Sequence, residues 1–146
     1  MTGNTHLTLW QAIDALAAQL PFSMQGVGRT LGTTLRDTHA EGGDVFRFFE
    51  GTPVRLVDGT ELARIDLRIK REGAHPGFLV LDLAGRCVPM TEVRQHHAAL
   101  DLTDVPRGRS LDESTSYTAA LGWGRLSFGF AQRSPDCLAH VAFDPT

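Results

Sequence analysis

Six histidines, two cysteines and a glycine cluster are the residues of this 146-residue chain that invite a chemical reading. Their spacing decides what chemistry is open to them. His96 and His97 are adjacent, and neighbouring helical side chains diverge by about 100°. The two imidazoles therefore cannot converge on one ion as residues four apart do. His6, His39, His75 and His140 are scattered, with no Asp or Glu at ligand spacing, so no metal site is expected. Cys137 and His140 have the residue types of a thiol nucleophile and its base, but three apart on a strand they fall on opposite faces. Cys87 could meet His96 or His97 only through the fold. Neither Ser127 nor Ser134 has an identifiable partner, and no G-x-S-x-G elbow occurs. The run GVGRTLG, residues 26–32, brings its third glycine one residue late for a dinucleotide fingerprint and follows no strand. Its glycines read as loop punctuation. Asp66 and Asp82 could converge if their strands pair with both side chains outward, where they would interleave with Arg64 and Arg68. The sequence therefore assigns no catalytic residue, no cofactor site and no metal site.

Composition narrows the classes further. The chain is 42% hydrophobic and 21% charged, as a globular domain is, and its length fits a single domain over residues 1–146. With 14 basic and 17 acidic residues and a net charge of −3, it has no basic stripe for a phosphate backbone, so nucleic acid is set aside as a partner. No apolar run is long enough to cross a bilayer, and the first ten residues, MTGNTHLTLW, lack the positive region of a secretory signal. The expected compartment is the cytoplasm, and no membrane association is expected. In that compartment Cys87 and Cys137 are expected to be buried free thiols, a disulfide requiring export. Lys70 is the only lysine beside thirteen arginines, a bias that fits a GC-rich bacterial genome.

The elements that must position these residues follow from periodicity. Residues 8–20 predict a helix capped by Thr8 and stopped by Pro21, with Leu9, Ile13, Leu16, Ala17 and Leu20 on one stripe and Trp10 anchoring it to a sheet. Residues 22–44 fit a second frayed helix or an ordered loop. From residue 45 the period becomes 2, giving strands at 45–51, 53–57, 60–70 and 77–85. Asp58-Gly59 predicts a two-residue type I′ hairpin turn that places Val57 opposite Thr60 and Val54 opposite Ala63. Ala63, Ile65, Leu67 and Ile69 then face the core, and Arg55, Arg64, Asp66, Arg68 and Lys70 face away. Thr91 caps a short helix carrying Val93, His97 and Leu100. A polar loop over 101–114 leads to strands at 116–123, 125–132 and 137–143. The expectation is a two-layer α+β fold: an N-terminal helix and a second short helix on one face of a curved antiparallel sheet of six to seven strands, with a possible tandem helix-plus-strands repeat. This order of elements is similar to that of beta-lactamase inhibitor proteins, a likeness of architecture that extends to no residue.

With no reaction assembled, the surfaces carry the functional expectation. Arg55, Arg64, Asp66 and Arg68 form a mixed-sign sheet face suited to docking. Arg107 and Arg109 lie in an exposed loop, residues 104–114, of the kind that serves recognition. The reading is a small non-catalytic bacterial binding protein, an inhibitor or immunity-type protein that occludes a toxin or effector. One alternative is a small-molecule-binding domain or enzyme with a pocket between the N-terminal helix and the sheet, walled by Phe46, Phe48, Trp123, Phe128 and Phe130. The other is a chaperone for a secreted effector.

Overall fold

Thr8 begins the first helix, α1 (Leu9–Ala17), with a closed capping box. Its hydroxyl accepts the Gln11 N–H at 3.2 Å, and the Gln11 carboxamide accepts the Thr8 N–H at 3.0 Å. The helix stops at Ala17 rather than Leu20, because Pro21 has no N–H for the Ala17 carbonyl and its ring would strike that carbonyl. The computed structural model describes residues 3–38 and 45–145. Within 22–38 it contains a second helix, α2 (Met24–Leu31), capped by Ser23 and closed by Gly32 at φ +69°. Gly26 and Gly28 therefore sit inside a helix and do not punctuate a loop. Complete burial of Val27 and Leu31 outweighs the roughly 1 kcal/mol that each glycine costs there. Residues 39–44, with the candidate His39, lie outside the described residues.

The described strands form one ten-stranded sheet: β1 (Gly3–Asn4), β2 (Leu35–Asp37), β3 (Phe46–Gly51), β4 (Val54–Arg55), β5 (Thr60–Lys70), β6 (Phe78–Gly85), β7 (Asp101–Asp104), β8 (Ser114–Leu121), β9 (Gly124–Ala131) and β10 (Leu138–Pro145). A third helix, α3 (Met90–His96), separates β6 from β7 and starts at Pro89 rather than Thr91. The strand order is β1-β4-β5-β6-β10-β9-β8-β7, with β3 continuing along β5 and β2 pairing β3. Every pairing is antiparallel except the short one of β1 with β4. The fold is thus mixed α+β and dominated by its sheet, with more strands than the six to seven expected.

Register decides what each face carries. The turn after β4 has three residues, not two: Leu56 N–H bonds the Thr60 carbonyl, and Gly59 takes φ +88°. This moves the pairing by one residue, so Val54 faces Leu62 and Arg55 faces Glu61. Leu62 and Ile65 are three apart, yet both are fully buried, because an extra residue at Ala63 resets the alternation. Burying Leu62 gains about 1.5–3 kcal/mol, more than the roughly 1 kcal/mol of one interrupted ladder bond. Ala63, expected in the core row, is exposed instead. The same device at Ala139 lets Leu138 and Val141 both point inward.

Two rows cross the inner face without interruption: Ile65–Leu81–Val141–Phe128 and Leu67–Leu79–Phe143–Leu126, all within 1% of complete burial. Leu9, Ile13 and Leu16 of α1, Val27 and Leu31 of α2, and Val93 of α3 join the same hydrophobic cluster, so all three helices lie on this side. Trp10 is 5.9 Å from Phe128 between ring centres, and Phe22 meets Phe143 edge-on. Among the described residues no helix lies over the opposite face.

Candidate functional site

On the helix side, one guanidinium gathers the turn, α1 and α3. Arg86, just beyond β6, binds both Glu92 oxygens, at 2.9 and 2.8 Å, and reaches Asp58 at 3.3 Å. Glu92 also accepts the Trp10 indole N–H at 2.8 Å. Asp58 accepts the Leu9 N–H, the first of α1, and the Thr60 N–H, each at 3.0 Å, so a carboxylate stands where the helix dipole favours one. Burial pulls the Asp58 carboxyl upward, but the Thr60 hydroxyl, the Leu9 and Thr60 amides and Arg86 together hold it below its usual 3.8. Arg86 likewise holds Glu92 below 4.5 despite partial burial, helped by Trp10, and the Arg86 guanidinium is itself more basic than usual. Every polar partner here is engaged within the protein, so the cluster works as a clamp. His96 stacks on Trp10 at 4.2 Å, exposed to water, while half-buried His97 leans on Phe128 at 5.4 Å. Burial pushes the His97 imidazole below 6.5.

The bare face is assembled differently. Its rows run Arg64–Asp82–His140–Gly129 and Asp66–Val80–Ala142–Ser127–Thr118 across β5, β6, β10, β9 and β8. At the β3–β5 end, Arg64 meets Glu50 at 2.7 Å and Arg68 meets Asp66 at 3.4 Å. The Arg68 guanidinium lies 5.1 Å over Phe48, next to a group of Phe46, His75 and Phe78 rings. In the middle of the second row the side chains, Val80, Ala142 and Ser127, are short. Gly129 leaves room for the His140 ring, which would lie 2.1 Å from any Cβ added there. Burial pushes His140 below 6.5, and only Asp82 pulls the other way. Toward β7, the hydroxyls of Thr103, Thr118 and Ser127 form a chain at 2.9 and 2.8 Å. A shallow cleft of about 380 Å³ opens on this face between Arg68, Phe78, Val80 and Ala142.

Of the six residues expected to bind a partner, Arg55, Arg64, Asp66 and Arg68 share the bare face at its β4–β5 end. Arg107 and Arg109 follow β7, five strand positions from β5, or roughly 24 Å at about 4.8 Å per strand. They form a second patch. Asp66 and Asp82 do share the outer face with Arg64 and Arg68. The five proposed wall aromatics separate: Phe128 and Phe130 are in the core, Trp123 stacks near Phe143, and Phe46 and Phe48 are on the bare face. Between α1 and the sheet, Leu9, Ala12, Ile13 and Leu16 fill the space, each exposed by 1% or less.

Cys87 and Cys137 are not free thiols. They form a disulfide across 50 residues of chain, which removes the thiol nucleophile considered from sequence. The extra residue at Ala139 also voids the face-parity argument for Cys137 and His140. Among the described residues, no three His, Cys, Asp or Glu side chains are grouped to hold a metal ion. No helix among them is long and apolar enough to cross a membrane. Sequence reasoning missed Asp58, Arg86 and Glu92 as partners, since 28 and 6 residues separate Arg86 from the two acids and no local pattern links them.

The chain matches no protein-family model, and no curated protein and no solved structure shows significant similarity to it. The likeness of element order to beta-lactamase inhibitor proteins rests on that order alone.

Proposed function

We propose that this chain is a bacterial binding protein of inhibitor or immunity type, which occludes a toxin or effector protein through the bare face of its sheet. The observation that carries the reading is that, among the described residues, no helix lies over one face of the ten-stranded sheet, which presents arginine, carboxylate and aromatic groups beside Val80, Ala142 and Ser127. Arginine and aromatic rings are enriched in interfaces relative to the rest of a protein's surface. Five strands by about five residues give roughly 400 Å² in projection, a substantial part of the ~800 Å² that a standard interface buries per partner. The filled space beneath α1 favours this reading over a pocket there. The disulfide supports placing the protein in an oxidising compartment rather than the cytoplasm expected from sequence. The two strand meanders, each preceded by helix and meeting through β6 and β10, support reading the chain as a tandem repeat.

The test is association with the purified product of the adjacent gene, measured by titration calorimetry. Binding that weakens about tenfold in Arg64→Ala and Arg68→Ala, with unfolding temperature unchanged, supports the reading. Absence of association by the wild-type chain overturns it.

A further inference from the structure

Residues 105–113 join β7 to β8. Several of their backbone N–H groups are bonded within the loop, while Val105 and Leu111 stand in solvent. The Glu113 carboxylate accepts the backbone N–H groups of Arg107, Arg109 and Ser110 at 3.1, 2.6 and 3.0 Å. Those amides hold its carboxyl below 4.5. Asp104 accepts the Val105 N–H, the Ser110 hydroxyl accepts the Asp112 N–H, and Asp112 takes two bonds from Arg133. Backbone bonds from Gln132 to Glu113 and from Arg133 to Leu111, both 2.8 Å, moor the loop to the end of β9. Held in this way, the loop exposes Val105 by 50% and Leu111 by 53%, beside Leu102 at 58%. These are three of the five large apolar side chains exposed among the described residues.

The same bonds settle the loop's charge. Glu113 is occupied by backbone, Asp112 by Arg133 and Asp104 by Arg107. Arg109 is left without an ion pair among the described residues. Apolar side chains and a guanidinium shown on a backbone that is already ordered are what a recognition element needs. The ordering cost, about 1–2 kcal/mol per residue, is met before association.

We propose that loop 105–113 is the element this protein inserts into its partner, and that the partner is a protein with an apolar depression rimmed by carboxylates. Leu111 and Val105 fill the depression, and Arg109 meets the rim. The inference rests on the binding reading above and supplies the chemistry of the other side. A flat anionic lipid surface would face the whole of residues 101–113, which hold four carboxylates against two guanidinium groups, whereas a carboxylate rim need meet Arg109 alone.

The experiment titrates the adjacent gene's product with the wild-type chain and with Leu111→Ala, Arg109→Ala and Glu113→Gln. Leu111→Ala and Arg109→Ala are each expected to raise Kd about 10- to 100-fold without moving the unfolding temperature. Glu113→Gln is expected to raise Kd while the amides of Arg107, Arg109 and Ser110 exchange faster with solvent. Tight binding by all three variants overturns the loop's role and leaves the bare-face reading in place. No binding by the wild-type chain overturns the inhibitor reading and the loop's role with it. Retention on phosphatidylglycerol vesicles that is lost in Leu111→Ala overturns the protein partner in favour of a membrane. Self-association of the chain that is lost in the same variant overturns it in favour of a second copy.

Discussion

On the helix side of the sheet, Arg86 meets two carboxylates that also receive an indole N–H and a helix's first amide. On the bare side, Arg64 meets Glu50 and Arg68 meets Asp66, with about half of each guanidinium side chain open to water. Both arrangements are ion pairs, and they do different work. The first is two-thirds or more screened from water and fixes where α1 and α3 sit. The second is exposed to solvent, where such pairs contribute about 0–1 kcal/mol. Charge on the helix side serves the fold, and charge on the bare side stays open to solvent.

Five variants would break or sharpen that contrast. Phe128→Ala, beneath Trp10 and His97, is expected to cost about 3–5 kcal/mol of unfolding free energy measured by urea denaturation, a large share of a domain's 5–15 kcal/mol. Its bare-face counterpart Phe48→Ala should cost far less, and equal costs would mean that the two faces are packed alike. Cys87→Ser together with Cys137→Ser opens a link spanning 50 residues and is expected to lower stability by about 4 kcal/mol. An unfolding temperature insensitive to reductant would contradict that.

Asp58→Ala is expected to cost about 1–3 kcal/mol by leaving the first α1 amide and Arg86 short of a partner. Asp58 and Glu92 are held below 3.8 and 4.5 in the folded chain, so their contribution is present above those values and is lost as pH falls through the folded ones. Acid titration of Asp58→Ala should therefore show a shallower loss of stability. His97 and His140 add a second acid-side loss that begins near 6.5, because the unfolded chain binds protons that the folded imidazoles refuse. Smallest of all, Arg64→Ala should change stability by less than about 1 kcal/mol, whatever it does to binding.

The long strands and α1 were legible because each carries a local pattern: the Thr8 cap followed by the Leu9, Ile13, Leu16 stripe, and the alternation through Ile65, Leu67 and Leu79, Leu81. What escaped was decided between distant residues. β1 and β2 are too short to show a period, and β7 has no buried residue to show one. The phase of β5 turned on a bulge placed by the burial of Leu62, and α2 formed around two glycines because Val27 and Leu31 had a core to enter. The disulfide and the Arg86 cluster join points up to 82 residues apart, beyond any window of local pattern. Four of the six expected contact residues do share a face, since strand alternation survives the one-residue shift in the hairpin.

The strand latest in sequence, β10, lies between β6 and β9, and it alone bridges the two groups of strands. Without residues 138–145, β6 and β9 would each present an unpaired edge able to recruit a foreign strand, so the integrity of the sheet hangs on one keystone.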